Sequence, residues 1–147
     1  MSLQHWESNG WLVAHVASRQ EISDLLAIAD RDLNDAQTPG LSADWRLNIA
    51  YNAALQAATA ALAAAGYRAA REAYHHRVIQ SLAFTIGADA TLVLQFDRYR
   101  KKRNIGGYER AGAVSDQEAE EMLELAKRIR HEVTVWIKVN HPDLDRR

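Results

Sequence analysis

Cysteine is absent from this chain, and with it go disulfides, zinc–thiolate centres and thiol nucleophiles. That absence fits a reducing compartment. Proline occurs twice and glycine seven times, and both prolines, Pro39 and Pro142, stand where periodic patterns stop. Runs of alternating β-branched and aromatic residues are scarce, so the strand signal is nearly missing. No stretch approaches the roughly 18 apolar residues of a membrane span, and Met1 to Glu7 lacks the basic-then-apolar layout of a signal peptide. A soluble, cytoplasmic chain with no membrane partner is expected. There is no Gly-x-x-x-x-Gly-Lys-Ser/Thr phosphate loop and no strand-turn-helix nucleophile elbow, which leaves serine-hydrolase chemistry without support.

What remains is helical. An apolar fraction of 48% in 147 residues supplies one core and one domain, residues 1–147, with its ordered part at about 18–139. Ser18 followed by Glu21 has the form of a capping box, and Ile22, Leu25, Leu26, Ala29 and Leu33 then recur at the spacing of one buried stripe. The other face, Asp24, Asp30, Arg31, Asp32 and Asp35, reads as solvated surface. A second helix opens at Ser42 or Asp44 and ends at Gly66. Thirteen of the twenty-four residues from Ala50 to Ala73 are alanine, the strongest helix former, and the small side chains let neighbours approach closely. A third helix runs from His75-His76 to Gly87, and a fourth carries Leu92, Phe96 and Tyr99. The last has a capping box, Ser115 to Glu118, and a stripe of Met122, Leu125, Ile129, Val133 and Trp136. The tail beyond Asn140 is expected to fray. The expected fold is all-α, a four- to five-helix up-and-down bundle.

Charge singles out Arg98-Tyr99-Arg100-Lys101-Lys102-Arg103, where five of six side chains are cationic in a chain of net charge −1. Such a patch suits an anionic partner, although cations at a helix C-terminus also complement the dipole. The run is followed by Asn104 and by Gly106-Gly107, expected to break the helix into an elbow before Tyr108. A second polar group, Tyr67, Arg68, His75 and His76, is the remaining candidate cluster. Adjacent helical positions point about 100° apart, and neither histidine has another at i+4, so no metal site is expected. One histidine is expected to bond across the bundle and the other to be exposed. Trp6, Trp11, Trp45 and Trp136 read as core or interface anchors.

The alanine-rich helix ending in Gly66-Tyr67-Arg68, the His75-His76 helix start and Arg103-Asn104-x-x-x-Tyr108 together resemble the HEPN superfamily over about residues 20–139. That resemblance implies a helical bundle that dimerises and, in many members, metal-independent RNase activity in toxin–antitoxin, defence or RNA-processing systems. The family signature is an arginine, a polar residue directly after it, and a histidine four to six residues on. Arg103 and Asn104 match. Tyr108 stands where the histidine belongs, and with an ordinary pKa near 10 it is a poor base, though it can donate to a phosphate oxygen. The resemblance makes Arg103, Asn104 and Tyr108 the catalytic candidates and Arg98, Arg100, Lys101 and Lys102 the RNA-binding ones, with no cofactor.

Three functions remain open. The chain is an RNase or RNA-binding relative; or a non-catalytic module that dimerises or binds an antitoxin or nucleotidyltransferase; or a bundle with a small-molecule site between helices. In a dimer, the alanine-rich helix or the last helix is the expected contact.

Overall fold

A computed structural model of the chain describes residues 1–108 and 114–145, with side chains for all of these except 104–108. Six α-helices dominate: α1 (Leu3–Ser8), α2 (Arg19–Asp35), α3 (Ala43–Ala64), α4 (Tyr74–Ser81), α5 (Ala90–Tyr108) and α6 (Asp116–Asn140). The all-α expectation holds, with one small addition. Two short strands, β1 (Leu12–Ala14) and β2 (Tyr67–Ala69), pair antiparallel with Leu12 opposite Ala69 and Ala14 opposite Tyr67. Three-residue strands lie below the length at which alternation can be read, so neither was visible in the sequence.

Helix α3 is the axis of the bundle. Its N-cap is Ser42, whose hydroxyl accepts from the Trp45 amide, and its C-terminus passes into Gly66 at φ +100°, a left-handed conformation that glycine reaches without strain. Ala50, Ala53, Ala54, Ala57, Ala58, Ala60 and Ala61 are all fully buried. They point to several sides of the helix, so alanine here does more than favour helix. It lets α2, α4, α5 and α6 all pack onto α3, most extensively α6 and α2, at the short axis-to-axis distances small side chains permit.

The other elements close around that axis. Ile22, Leu26 and Ala29 of α2 are buried, and so are Met122, Leu125, Ile129, Val133 and Ile137 of α6, whereas Trp136 is half-exposed. The Ser115–Glu118 capping box is complete. At Ser18 only half of the box forms: its hydroxyl accepts from the Glu21 amide, while the Glu21 carboxylate turns instead to His15, 2.8 Å away. Helix α4 starts from Ala73, which sits at φ 56° with no side-chain cap, and ends at Ser81, short of the Gly87 expected. The following turns reach Gly87 at φ +70°.

Three further expectations change. Asp32 is buried rather than solvated, held by the Asn52 amide at 2.7 Å and by Arg31. The tail does not fray through Asp145: a single 3-10 turn (Pro142–Leu144) is tied back by the Arg19 guanidinium, which donates to the Asp143 carbonyl at 3.1 Å. And α5 runs through Gly106 and Gly107 as helix to Tyr108, so the glycines form no elbow; their intrinsic cost of about 1 kcal/mol each does not break a helix anchored by Leu92, Phe96 and Tyr99.

Close packing on α3 generates a stability prediction. Ala58→Leu should destabilise the fold by about 1–3 kcal/mol in chemical denaturation, because the added atoms must displace a neighbouring helix. An unchanged midpoint would mean that α3 is loosely surrounded.

Candidate functional site

The basic stretch does not act as one patch. Along α5 its side chains radiate to different sides. Arg98 is exposed, with its guanidinium 5.2 Å from the Tyr99 ring centre. Lys102 leaves the site for Glu118 of α6, at 3.4 Å. Arg100, Lys101 and Arg103 remain on the α4 side.

There they meet a residue the sequence reading treated only as core. Tyr51 of α3 is buried, packs edge-on against Phe96 at 5.5 Å, and lies with its ring 5.2 Å from the Arg103 guanidinium. Its hydroxyl is 3.1 Å from Nδ1 of His75. Burial raises the Tyr51 pKa far above its ordinary value, outweighing the opposite pull of Arg103 and Arg100, so the phenol keeps its proton. The signal for Tyr51 was present in sequence: it is the sole aromatic between Trp45 and Tyr67, and a buried tyrosine needs a partner for its hydroxyl.

Each histidine therefore has a partner, contrary to the expectation that one would be merely exposed. His76 Nδ1 lies 3.3 Å from Asp97 Oδ1, and that same oxygen accepts from Arg100 Nε at 2.7 Å, with Lys101 Nζ 3.7 Å from the other oxygen. Asp97 was not among the candidates, because an aspartate one residue before a basic run looks like an ordinary i,i+3 and i,i+4 partner. Burial opposes its ionisation, but the hydrogen bonds from Arg100 and His76 prevail and hold the carboxyl below the usual range. Asp97 thus fixes Arg100 and His76 side by side.

Ala73, Tyr74, His75, His76, Arg100 and Arg103 line one open cleft of about 470 Å³ between the start of α4 and the middle of α5. His75 is half-buried there, and its pKa falls below 6.5, first through desolvation and then through the nearby charges of Arg103 and Arg100. A neutral imidazole therefore faces two permanent cations. The Tyr51 contact is satisfied by either tautomer. With the hydroxyl donating to Nδ1, Nε2–H is a donor for an anion; with Nδ1–H donating to the phenol oxygen, Nε2 is free to accept a proton.

The polar group expected from the sequence is divided. His75 and His76 belong to the cleft, while Tyr67 and Arg68, on β2, line a separate pocket on the other side of Tyr74. The Asn104 and Tyr108 side chains lie outside the described residues. No group of three or more metal-ligating side chains occurs among the described residues, and none of their helices is long and apolar enough to cross a membrane.

A helical bundle with an Arg-Asn pair late on its penultimate helix is the arrangement the resemblance implied, and a family model for the HEPN domain matches residues 22–136. The chain belongs to the HEPN family. No curated protein matches it. The family match covers α2 to α6 through nearly all its length and leaves outside it α1, β1 and the C-terminal turn. In this HEPN chain a histidine, His75, lines the same cleft as Arg103, and it comes from α4 rather than from the helix that carries Arg103.

The cleft's electrostatics give a direct measurement. In a side-chain NMR titration His75 should titrate below 6.5, and Arg103→Ala should move it up towards that value. Since the unfolded chain then binds the proton more readily, His75 lowers fold stability as pH drops below about 6.5. A His75 titrating at or above 6.5 would contradict the arrangement.

Proposed function

We propose that the α4–α5 cleft binds the phosphodiester backbone of RNA and supports its metal-independent cleavage. The observation that carries this reading is the neutral His75 held between the Tyr51 hydroxyl and the paired cations Arg103 and Arg100. Phosphoryl transfer from an RNA 2′-hydroxyl needs a proton acceptor, a proton donor for the departing oxygen, and positive charge where the phosphorane forms. His75 Nε2, with Nδ1–H on the Tyr51 oxygen, takes the 2′-hydroxyl proton. The 2′-oxygen attacks phosphorus, the bond to the 5′-oxygen breaks, and the leaving oxygen takes its proton from solvent admitted by the open cleft, with His76 on the same wall placed to relay it. Arg103 and Arg100 provide the charge, Arg103 as a forked donor and Arg100 from a position set by Asp97. The products are a 2′,3′-cyclic phosphate and a 5′-hydroxyl. Asn104 and Tyr108, whose side chains lie outside the described residues, are given no step in this reading, and Lys101, beside Asp97, offers a further phosphate contact along α5.

A homodimer is part of this proposal. Of the two helices expected at a contact, α3 buries its alanines inside the bundle and leaves Trp45 exposed at its start, whereas α6 presents a longer free apolar face. Val135 and Val139 there are 47% and 72% exposed, beside the half-exposed Trp136. A toxin–antitoxin setting, with an antitoxin or nucleotidyltransferase as partner, is the biological context this reading favours.

Cleavage of a mixed RNA pool in EDTA tests it. The native chain should cut and leave 2′,3′-cyclic phosphate ends. His75→Ala should lower the rate by about 10²–10⁴ and Arg103→Ala by about 10²–10³, while RNA affinity falls steeply with salt. Absence of cutting and of salt-sensitive binding at high protein and low salt would overturn the proposal in favour of a protein-partner module.

A further inference from the structure

Helix α4 carries both histidines of the cleft, yet nothing at its own start holds it firmly. Its N-cap, Ala73, sits in the left-handed region at φ 56° and has no side chain to accept from the first free amides. A helix of eight residues is too short to stand by propensity alone, so contacts set its place. Val78, Ile79 and Leu82 seat its far end in the core. The polar contacts of its first turn are those of the site itself, His75 to Tyr51 and His76 to Asp97. Further hold comes from a segment that precedes the HEPN match, α1 and β1.

Trp11, immediately before β1, grips α4 and the chain leading into it. Its ring centre lies 3.7 Å from the Arg77 guanidinium, a stacked cation–π contact. Its carbonyl accepts from the Ala70 amide at 2.9 Å, which fixes the connector between β2 and α4. Behind it stands Trp6 of α1, buried and edge-on both to Trp11, at 5.9 Å, and to Phe84 beyond the end of α4, at 5.2 Å. The β1–β2 pairing, with Leu12 opposite Ala69, gives this aromatic group a fixed base on the bundle.

Arg77 follows His75 by two residues, so the two side chains leave α4 about 200° apart. Holding Arg77 on one face therefore fixes where His75 stands on the other. We infer that Trp11 and Arg77 are positioning residues of the cleft: the α1–β1 segment clamps α4 and sets how His75 faces the cations of α5. The inference rests on the reading of the cleft as an RNA-cleaving site. The proton acceptor rides on α4, whereas Arg100 and Arg103 ride on α5. Loosening α4 thus misplaces the base while leaving the phosphate bound.

That division gives the test. Trp11→Leu removes the ring face without changing charge, Trp11→Phe keeps a smaller one, and circular dichroism checks the folding of each. In RNA cleavage with EDTA, Trp11→Leu should lower kcat by about 10–10²-fold, the cost of a displacement of about 1 Å, with KM within about twofold of native. Trp11→Phe should recover most of the rate. Arg77→Met, which breaks the contact from its other side, should repeat the kcat loss. In a side-chain NMR titration the His75 midpoint should rise towards 6.5 in Trp11→Leu, as the ring leaves its desolvated place and the field of Arg103, and stay native in Trp11→Phe. Native kcat and a native His75 midpoint in folded Trp11→Leu would overturn the clamp, as would a rise in KM alone. A His75 midpoint that shifts in Trp11→Leu, in a protein whose native form cuts no RNA, would uphold the clamp and refute the cleavage reading.

Discussion

Everything at the site depends on how closely helices can approach α3. Alanine leaves almost no side chain between backbones, so α4 and α5 can both reach the buried aromatic ring of that helix, Tyr51. The ring fills the space between them, Phe96 packs on its edge, and its hydroxyl and face project to opposite partners, His75 and Arg103. A larger residue at the neighbouring alanines would separate the helices and dissolve the cleft before it unfolded the protein. Core and site are thus one construction: the same buried tyrosine is a packing element on one side and the support of a titrating group on the other.

The electrostatics follow from that closeness. Desolvation first, and then the charges of Arg103 and Arg100, discourage protonation of the half-buried His75 imidazole, which costs the fold some stability at acid pH but leaves the ring in the form able to accept a proton near neutrality. Asp97 offsets the repulsion among the cations on α5 by binding Arg100, Lys101 and His76 together. An anion entering the cleft would relieve the remaining excess positive charge.

Much of this was legible in the sequence and some was not, for physical reasons. The helices α2, α3, α5 and α6 announce themselves through periodicity, and the Ser115–Glu118 box marks one start to the residue. Arg103 and the two histidines were readable as chemistry-bearing. Their meeting was not, because the 26 residues between His76 and Arg103 carry no sign of which helix faces pair. Tyr51 was hidden by being a good core residue, and Asp97 by resembling a routine helix-surface partner. The β1–β2 ribbon was hidden by its length. Gly106-Gly107 misled because local propensity suggested a break that tertiary anchoring of α5 overrides, and Asp32 misled because a charge on an otherwise acidic face gives no hint of the Asn52 partner beneath it.

The central claim is that residues from α4 and α5 work as one unit on one anion. A double-mutant cycle in RNA affinity tests it most directly, comparing His75→Ala, Arg103→Ala and the pair, with folding of each verified. Two groups sharing a phosphate and each other's field should be non-additive, with a coupling of about 0.5–3 kcal/mol. Additivity within about 0.5 kcal/mol, the behaviour of distant and independent sites, would contradict the account.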